Sequence, residues 1–488
     1  MASEMTLLPP FDCIVVGGAG HHAARKILPV FGCYLSGLSL NPVRMMPKSQ
    51  TIMTQSSLRQ FTENATYTSQ DETDQEKLKK TSVIFSLFAG RCLFRRRLVG
   101  VKNTDKAGDC INSGRHLNSL LNFGLVYLIR SYQLVTKTTR IIVKKLIGHD
   151  LQSVETLNKA LARVFAESQN VWIDYLSKKT LQNWTALRLA KSPYKPDCNS
   201  NHSDHIQITV AAAGGLDGRV SYRDQAAGLY AVLHHHMSQH LSFVAMPTYF
   251  NKDNAVSDGT FRVQGSLSPL SATNLAINTV RGQYQAGALT EPAPSYFADL
   301  QEPRSLTGTF VALEISVENW RWAETPFYSR NGKLLPMRMS EMIVGFKSVL
   351  YNIFEKNRGE IFADRLVMRL QPDEGLTQRQ MVKDPVLGGM RLRQILHDMA
   401  IADTISKRYL DFYQPWLTNA ICGNQPLIKI IDEVEAAWHR MDPILEGWKT
   451  TKQPINRCIA STWGQSRAVG MIERNGRKWY DSFKEVQQ

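Results

Sequence analysis

The residue types most able to do chemistry in this sequence are histidines gathered around position 236. His234, His235 and His236 are consecutive, and His240 follows four residues later. An imidazole changes its charge near neutral pH, so a histidine here is a candidate general base. Residues four apart share one helix face and could instead hold a metal ion. Because no HExxH pattern or cysteine partner accompanies the cluster, we predict no metal site.

A glycine-rich turn near position 17 follows a short apolar run. Cys13–Val16 has the composition of a buried strand, and Gly17, Gly18 and Gly20 come directly after it. A strand, a tight glycine turn and a helix let a pyrophosphate approach free backbone N–H groups. The sequence therefore predicts a dinucleotide site, although a glycine turn alone also occurs as a structural connection.

The residues after this turn indicate which dinucleotide binds. The acidic residue that would hold a ribose 2′-hydroxyl about 20 residues later is not evident. Arg44 and Lys48 lie in that region instead. Basic residues suit a 2′-phosphate, so we predict NADP as the cofactor, with Arg44 among its contacts.

The composition limits the classes to which the chain can belong. Its 488 residues carry a formal net charge of +15, and its 7 cysteines include no CxxC pair. The cysteine pattern argues against a disulfide framework and favours a reducing compartment. The charge attracts anions, but no nucleic-acid-binding motif is visible, so we expect no nucleic-acid partner. Without a secretory signal or a long apolar run, the sequence predicts a cytoplasmic protein with no membrane partner.

Hydrophobic periodicity predicts a change of architecture near residue 170. A strand at Arg140–Val143 and a helix at Val154–Ser168 continue the Rossmann-like pattern. Beyond it, alternating strands are predicted at His205–Val210, Phe310–Val317 and Leu366–Gln371. We therefore predict a Rossmann-like α/β first third and a larger α+β remainder.

Two segments are assigned from weaker patterns. Residues 48–80 are polar and rich in Thr, Ser, Gln and Glu, which is typical of a helix plus a loop. The segment Gly464–Glu473 is predicted to add further β structure.

Short motifs follow one another in a fixed order along the chain. They are the glycine turn with Arg25–Pro29, then Ile173–Lys178, Gln182–Arg188, Val280–Tyr284, Asn319–Trp322, Arg330–Lys333, Leu370–Gly375 and Thr462–Gly464. Together they resemble the glucose-6-phosphate dehydrogenase family, densely from about residue 171 and thinly over 50–139. The resemblance implies an NADP-binding Rossmann-like domain over 1–170. It also implies an α+β domain over 171–488, with a large, mostly antiparallel sheet for substrate binding and oligomerisation.

The resemblance also implies a reaction. That family oxidises glucose 6-phosphate at C1 to 6-phosphogluconolactone, the entry to the pentose phosphate pathway, and passes the hydride to NADP. By alignment, His236 is the general base for the C1 hydroxyl and Asp174 is the carboxylate behind it. The family further suggests a homodimer or homotetramer.

Basic residues are expected to hold the substrate phosphate. By the same resemblance, Lys178 is the signature lysine, Lys333 contacts substrate, and Lys145 lies where the substrate and cofactor sites meet. Tyr175 stands next to the signature carboxylate and is also predicted to contact the substrate.

Several positions depart from the family pattern. The histidine expected between Asp174 and Tyr175 is missing, Ala212 and Ala231 replace carboxylates, and Cys458 replaces a tyrosine. Each lost hydrogen bond to a sugar hydroxyl would weaken binding by about 0.5–1.5 kcal/mol. Two hypotheses follow: an active dehydrogenase, or a catalytically impaired relative that acts as a binding or assembly protein.

Overall fold

The chain is described as two compact units. The structure is a computed structural model that describes residues 13–16, 65–69, 98–102, 141–144, 151–166, 169–173, 197–215, 238–246, 255–287, 295–300, 305, 307–349, 351, 361–372, 374–385, 392–400 and 431–480. Of these, the first unit holds the residues up to Ile173 except Leu151, and the second holds the others. Within these ranges, no helix has both the length and the apolar character that crossing a membrane requires.

Short parallel strands form most of the described part of the first unit. β1 (Cys13–Val16) pairs with β3 (Leu98–Lys102), β3 pairs with β2 (Ala65–Ser69), and β4 (Ile141–Lys144) pairs with β5 (Asn170–Ile173). Parallel strands are the sheet type of dinucleotide-binding folds. The predicted strand at Cys13–Val16 is confirmed, and the one at Arg140–Val143 is found one residue later.

Strand β2 lies inside the segment that the sequence predicted as helix plus loop. That prediction is wrong at Ala65–Ser69, where Thr66, Tyr67 and Thr68 pair with β3. Threonine and tyrosine favour strands, and pairing with a neighbouring strand outweighed the polar character of the segment. The rest of 48–80 lies outside the described residues.

Helix α1 (Leu151–Ala162) follows from an apolar stripe. Val154, Leu157 and Leu161 are buried at helical spacing. The helix ends earlier than the predicted Ser168, in a turn where Phe165 donates its backbone N–H to the carbonyl of Leu161 at 2.8 Å.

The described strands of the second unit form one nine-stranded sheet in the order β13-β12-β11-β10-β6-β9-β8-β7-β14. The strands are β6 (Ser203–Ala211), β7 (Thr279–Gln285), β8 (Phe310–Ser316), β9 (Pro326–Gly332), β10 (Met339–Phe346), β11 (Arg365–Gln371), β12 (Gly375–Lys383), β13 (Leu392–Ala400) and β14 (Asn456–Ile459). Only the pairs β6–β9 and β7–β14 are parallel among them. The predicted mostly antiparallel sheet and its three predicted strands are therefore confirmed.

Helices cover one face of this sheet, which we call the helix face. They are α2 (Ser238–Ala245), α3 (Ala255–Gly265), α4 (Ala272–Asn278) and α6 (Ile431–Thr450); α5 (Tyr296–Leu300) is a short helix elsewhere in the unit. Ile206, Ile208, Phe327 and Met342 point from the strands into the main hydrophobic core, together with Leu241 of α2. Alternation along each strand leaves the intervening residues for the opposite face.

The segment Arg477–Tyr480, here called the strap, lies on that opposite face, the strap face. Gln207 of β6 donates from Nε2 to the carbonyl of Lys478 at 2.9 Å and accepts from the backbone N–H of Tyr480 at 2.9 Å. The ring of Tyr480 packs in a small apolar cluster with Ile343 of β10. The strap is therefore bonded to the middle of the sheet.

Helix α7 (Ser466–Glu473) replaces the β structure predicted for the end of the chain. The prediction over Gly464–Glu473 is wrong for these residues, because Ala468, Met471 and Ile472 are buried at helical spacing. The strand in this part of the chain is β14, which ends at Ile459.

Candidate functional site

Two parallel strands in the middle of the nine-stranded sheet, β6 and β9, have their carboxyl ends side by side. Their last residues, Ala211 and Gly332, are paired, and Ala212 and Lys333 come directly after them. The backbone N–H of Ala212 donates to the carbonyl of Gly332 at 3.1 Å. Because Lys333 is a predicted substrate contact, this end of the two strands is a candidate substrate site.

Backbone hydrogen bonds fix the segment that carries Lys333. The N–H of Lys333 donates to the carbonyl of Thr309 at 2.9 Å, and the carbonyl of Leu334 accepts from Ser461 at 2.7 Å. A Cβ added at Gly332 would lie 2.9 Å from the Phe310 ring, so the strand end is closely packed. These bonds hold the backbone of Lys333 at the end of β9, and a lysine ammonium is a group that suits a phosphate.

His240 of α2 lies beneath the same end of the two strands, on the helix face. It is fully buried, and its Nε2 lies 3.5 Å from Oγ of Ser340 on β10. Ser340 pairs with Val210 of β6 and with Gln371 of β11. His240 therefore lies in the interface between sheet and helix. In the described part of the chain, no three His, Cys, Asp or Glu side chains are grouped as metal ligands.

In the first unit, the described strands stop just before two predicted site residues. Lys144, the last residue of β4, pairs with Ile173, the last residue of β5. Lys145 and Asp174 are the next residues in the sequence. They lie outside the described residues, together with Gly17, Gly18, Gly20, Arg44, Tyr175, Lys178 and His236. The roles of all these residues, and that of Lys333, stay predictions.

Two of the substituted positions lie within the described residues. Cys458 is on β14, paired with Tyr284, and is 8% exposed. Burial raises the pKa of its thiol, which keeps the thiol uncharged. Ala212 has only a methyl group at the strand edge. Neither side chain can replace the hydrogen bonds of the tyrosine or carboxylate expected there.

Arg330, on β9 three residues before Lys333, makes contacts that its motif did not predict. Its guanidinium lies 4.7 Å from the ring centroid of Trp463 and 4.6 Å from that of Trp479. Its Nε donates to Oγ1 of Thr209 at 3.0 Å. Strand alternation places Arg330 on the strap face, but the two rings are more than 130 positions away in the sequence, and the motif Thr462–Gly464 did not indicate their contact with Arg330.

The fold and the family models agree on the class of this protein. Parallel strands in the first unit and a large sheet with a basic strand edge in the second are the architecture of a two-domain dehydrogenase. The model of the glucose-6-phosphate dehydrogenase C-terminal domain matches residues 185–480, and the model of the glucose-6-phosphate dehydrogenase NAD binding domain matches residues 121–183. The chain belongs to the glucose-6-phosphate dehydrogenase family.

Relatives and solved structures match along almost the whole chain. A glucose-6-phosphate 1-dehydrogenase of Rhizobium meliloti is 38% identical over 491 residues, covering 99% of this chain and 100% of the relative. One of Zymomonas mobilis is 33% identical, covering 96% and 98%.

The structural matches support the same fold. A glucose-6-phosphate dehydrogenase solved in complex with glucose 6-phosphate has a TM-score of 0.79 at 21% identity, covering 98% of this chain and 100% of its own. A glucose-6-phosphate 1-dehydrogenase of Mycobacterium avium has a TM-score of 0.70 at 22% identity, covering 97% and 99%.

Proposed function

We propose that this protein oxidises glucose 6-phosphate at C1 to 6-phosphogluconolactone with NADP. The observation that carries the proposal is the similarity to a glucose-6-phosphate 1-dehydrogenase over 99% of this chain and 100% of the relative, at 38% identity. An enzyme of this family is an oxidoreductase of carbohydrate metabolism, and its cofactor is NADP.

The cofactor site would be built after β1. This strand ends at Val16, directly before the glycine turn, and its parallel pairing with β3 suits a pyrophosphate on the backbone that follows. The residues that would hold NADP are Gly17, Gly18, Gly20, Arg44 and Lys145. When bound, NADP supplies the hydride acceptor.

The residues of the chain would handle the proton and the phosphate. As the C1–H bond breaks with its electron pair, the C1 hydroxyl loses its proton to His236 and a carbonyl forms at C1. Asp174 would orient the imidazole and stabilise its charged form. Lys178 and Lys333 would hold the phosphate by charge, and Tyr175 would donate a hydrogen bond to the sugar.

The test is formation of NADPH, followed by its absorbance, from glucose 6-phosphate and NADP. In His236→Asn we expect kcat to fall by about 10²–10⁴-fold, which is the usual contribution of a general base. The matched control is His202→Asn, in the turn before β6, which should leave kcat unchanged. An unchanged rate in His236→Asn would remove the role given to that residue.

The runner-up is a binding or assembly protein with an impaired site. It is motivated by Ala212 and Cys458 at substrate-contact positions. Calorimetry would identify it: no heat with glucose 6-phosphate or with NADP, from a folded oligomer, together with no turnover. Turnover with a raised KM would instead mean that the substitutions weaken substrate binding while chemistry continues.

Lys333 allows a separate test of the phosphate contact. Lys333→Ala should raise KM for glucose 6-phosphate, by about 10-fold or more if one charge-assisted bond is lost. Lys333→Arg, which keeps the charge, should recover part of the loss. Equal KM values in all three proteins would exclude the contact.

We also propose a homodimer or homotetramer, formed through the outer strands of the nine-stranded sheet. β13 is the edge strand, and its Leu396 and Met399 are 45% and 43% exposed. An edge strand with exposed apolar side chains is a surface that natural proteins usually cover. Light scattering should show a smaller particle for Leu396→Asp than for the unchanged protein, and an unchanged mass would exclude this surface.

Two further proposals concern organisation and location. We propose a domain boundary near residue 170, giving domains 1–170 and 171–488. This is supported by the change of compact unit after Ile173 and by the change of family model after residue 183. Limited proteolysis that cuts elsewhere first would argue against it. We further propose a cytoplasmic location, which cell fractionation would test.

A further inference from the structure

An ion pair fastens the strap to the start of β6. Arg477 donates from Nε and from Nη2 to the two carboxylate oxygens of Asp204, both at 2.8 Å. The same carboxylate lies 2.7 Å from Nδ1 of His205. Arg477, and after it His205, hold the pKa of Asp204 well below its usual range, so this carboxylate stays charged down to strongly acidic pH.

The next strap contact fixes the orientation of the Gln207 amide. Its oxygen accepts from the backbone N–H of Tyr480, and its nitrogen donates to the carbonyl of Lys478. Both partners are backbone groups whose roles cannot be exchanged. The amide is 2% exposed, so water does not offer an alternative partner. The amide nitrogen of Gln207 must therefore be the group that faces His205, and it lies 2.8 Å from the ring nitrogen Nε2 of that histidine.

These contacts determine the protonation of His205. An amide N–H points at its Nε2, so this atom must carry a lone pair. The ring proton is then on Nδ1 and is donated to Asp204. His205 is thus held as the uncharged Nδ1–H tautomer between a carboxylate and an amide donor.

Among the described residues, the neighbouring strands bring a tyrosine ring and a glycine to His205. Tyr328 of β9 meets the ring edge-on, with centroids 6.2 Å apart. On β10 the facing residue is Gly345, where a Cβ would lie 2.6 Å from the ring, so that strand brings no side chain. The charged groups on the strap are Arg477, paired with Asp204, and Lys478. Asp204 favours a charged ring, while the two strap cations and the amide N–H oppose it.

We infer that the strap docks on the sheet only while His205 is uncharged, which makes the contact a pH-sensitive latch. A proton added at Nε2 of His205 would point at the amide N–H of Gln207, so that two donors would repel each other. Turning the amide to relieve this would break both of its bonds to the strap. Protonation therefore favours the released strap, and docking weakens as the pH falls. The inference concerns the strap alone and is independent of the proposed function.

The size of the effect follows from linkage. Histidine changes its charge between pH 5 and 8. If release takes up one proton, the docking constant falls by up to about tenfold for each pH unit below that transition. Asp204 stays charged throughout this range, so it does not contribute to the change.

Hydrogen exchange of the strap amides measures docking directly. The Tyr480 N–H is bonded to Gln207 and is protected only when the strap is docked. In the full-length protein, mass spectrometry of peptides covering 474–488 is compared with peptides from β10 between pH 7.5 and 5.5, after correction for intrinsic exchange. We expect strap protection to fall about tenfold or more, while β10 keeps its protection.

Two variants assign the change to this histidine. His205→Asn has no titrating group, and its strap protection should be independent of pH in this range. His202→Asn, which removes a histidine from the preceding turn, should behave as the unchanged protein does. Constant strap protection in the unchanged protein, or the same pH dependence in His205→Asn, would overturn the inference.

A third variant keeps the test decisive if His205→Asn does not fold. Gln207→Glu places an acceptor opposite Nε2 of His205, so a charged ring is tolerated. The oxygen facing Tyr480 is kept, while the bond to the carbonyl of Lys478 is lost, so docking is weaker at every pH. Its strap protection should depend less on pH than that of the unchanged protein. The same steep loss of protection in Gln207→Glu would contradict the role given to the amide.

Discussion

The two faces of the nine-stranded sheet are made by the same strands, yet they are stabilised by different chemistry. On the helix face, side chains such as Ile208 and Met342 pack against helices in an apolar core. On the strap face, the next residues along are Thr209, which accepts a hydrogen bond from Arg330, and Ile343, which packs against Tyr480 of the strap. Burial on the first face depends little on pH or salt. The second face has an apolar cluster of its own, which includes Ala312, Tyr328 and Ile472, but around β6 its contacts depend on charge and on the geometry of planar groups.

This difference indicates where the molecule can lose a contact without unfolding. A close-packed apolar face responds to a substitution with a cavity and a loss of stability. A region made of hydrogen bonds, ion pairs and cation–π contacts, such as the strap face around β6, can lose one contact with a smaller penalty. We therefore expect a ranking of effects, which the following substitutions test.

The largest loss is expected from Trp322→Ala in the core of the helix face. Trp322 is fully buried, packs edge-on against Phe327 at 5.2 Å, and donates from Nε1 to the carbonyl of Ala245 at 2.8 Å. The free energy of unfolding should fall by about 3–5 kcal/mol, measured by urea denaturation. Trp320→Ala removes an equally large but fully exposed ring and should change it by less than about 0.5 kcal/mol.

A smaller loss is expected from Arg330→Lys on the strap face. Lysine keeps the charge but not the planar group that lies between Trp463 and Trp479. We expect about 1–3 kcal/mol from the lost ring contacts and the lost bond to Thr209. Arg262→Lys, at an exposed position of helix α3, is the matched control. A loss as large as that of a core tryptophan would break the proposed ranking.

The ion pair of the strap should contribute less. The side chains of Asp204 and Arg477 are 36% and 21% exposed, so solvent screens their attraction. In a double-mutant cycle with Asp204→Asn and Arg477→Gln, the coupling free energy should be about 0.5–1 kcal/mol and should decrease in high salt. Coupling that is insensitive to salt would show that the pair acts as buried structure rather than as a screened surface contact.

The smallest effect is expected at the sheet edge, where Asp398 accepts from Arg369 and Thr377. Burial acts to raise the pKa of this carboxyl, but the two hydrogen bonds prevail and lower it. A carboxyl whose pKa is lowered in the folded protein stabilises the fold at pH values above its unfolded-state pKa, which is about 3.9. This contribution is lost as the pH falls below that pKa. Asp398→Asn should therefore reduce the acid sensitivity of stability between pH 4 and 2, by a few tenths of a kcal/mol for this half-exposed group. An identical pH profile would exclude the contribution.

Local periodicity was enough to predict β1, β4, β6, β8 and β11, but not the other described strands or the distant partners of any strand. The alternation in His205–Val210 correctly predicts β6, and motif order correctly predicts the mostly antiparallel sheet. The order of the motifs places Ala212 and Lys333 just after two segments of the sheet. The parallel pairing of β6 and β9 then brings both residues to the same end of the sheet. The bond between Gln207 and Tyr480 joins residues 273 positions apart, and no short-range pattern encodes it. Helix α7 was missed because only three apolar residues define its period.

The roles of His236 and Asp174 rest on a different kind of inference. Their residue types suit proton abstraction, but their assignment rests on alignment with the family and stays a prediction. The strap contacts show the opposite case: their geometry is specific, and no motif pointed to them. Sequence similarity thus predicted the reaction, while the latch required the positions of individual hydrogen-bond donors.

The separation between β6 and the strap has a consequence for how the protein is made. A ribosome adds about 5–20 residues per second, so the 273 residues between Gln207 and Tyr480 take about 14–55 s to synthesise. During that time the strap face of β6 has no strap to cover it, however early the helix face packs. The strand β6 is therefore without its strap for most of a minute at slow rates, which is when chaperones would bind it.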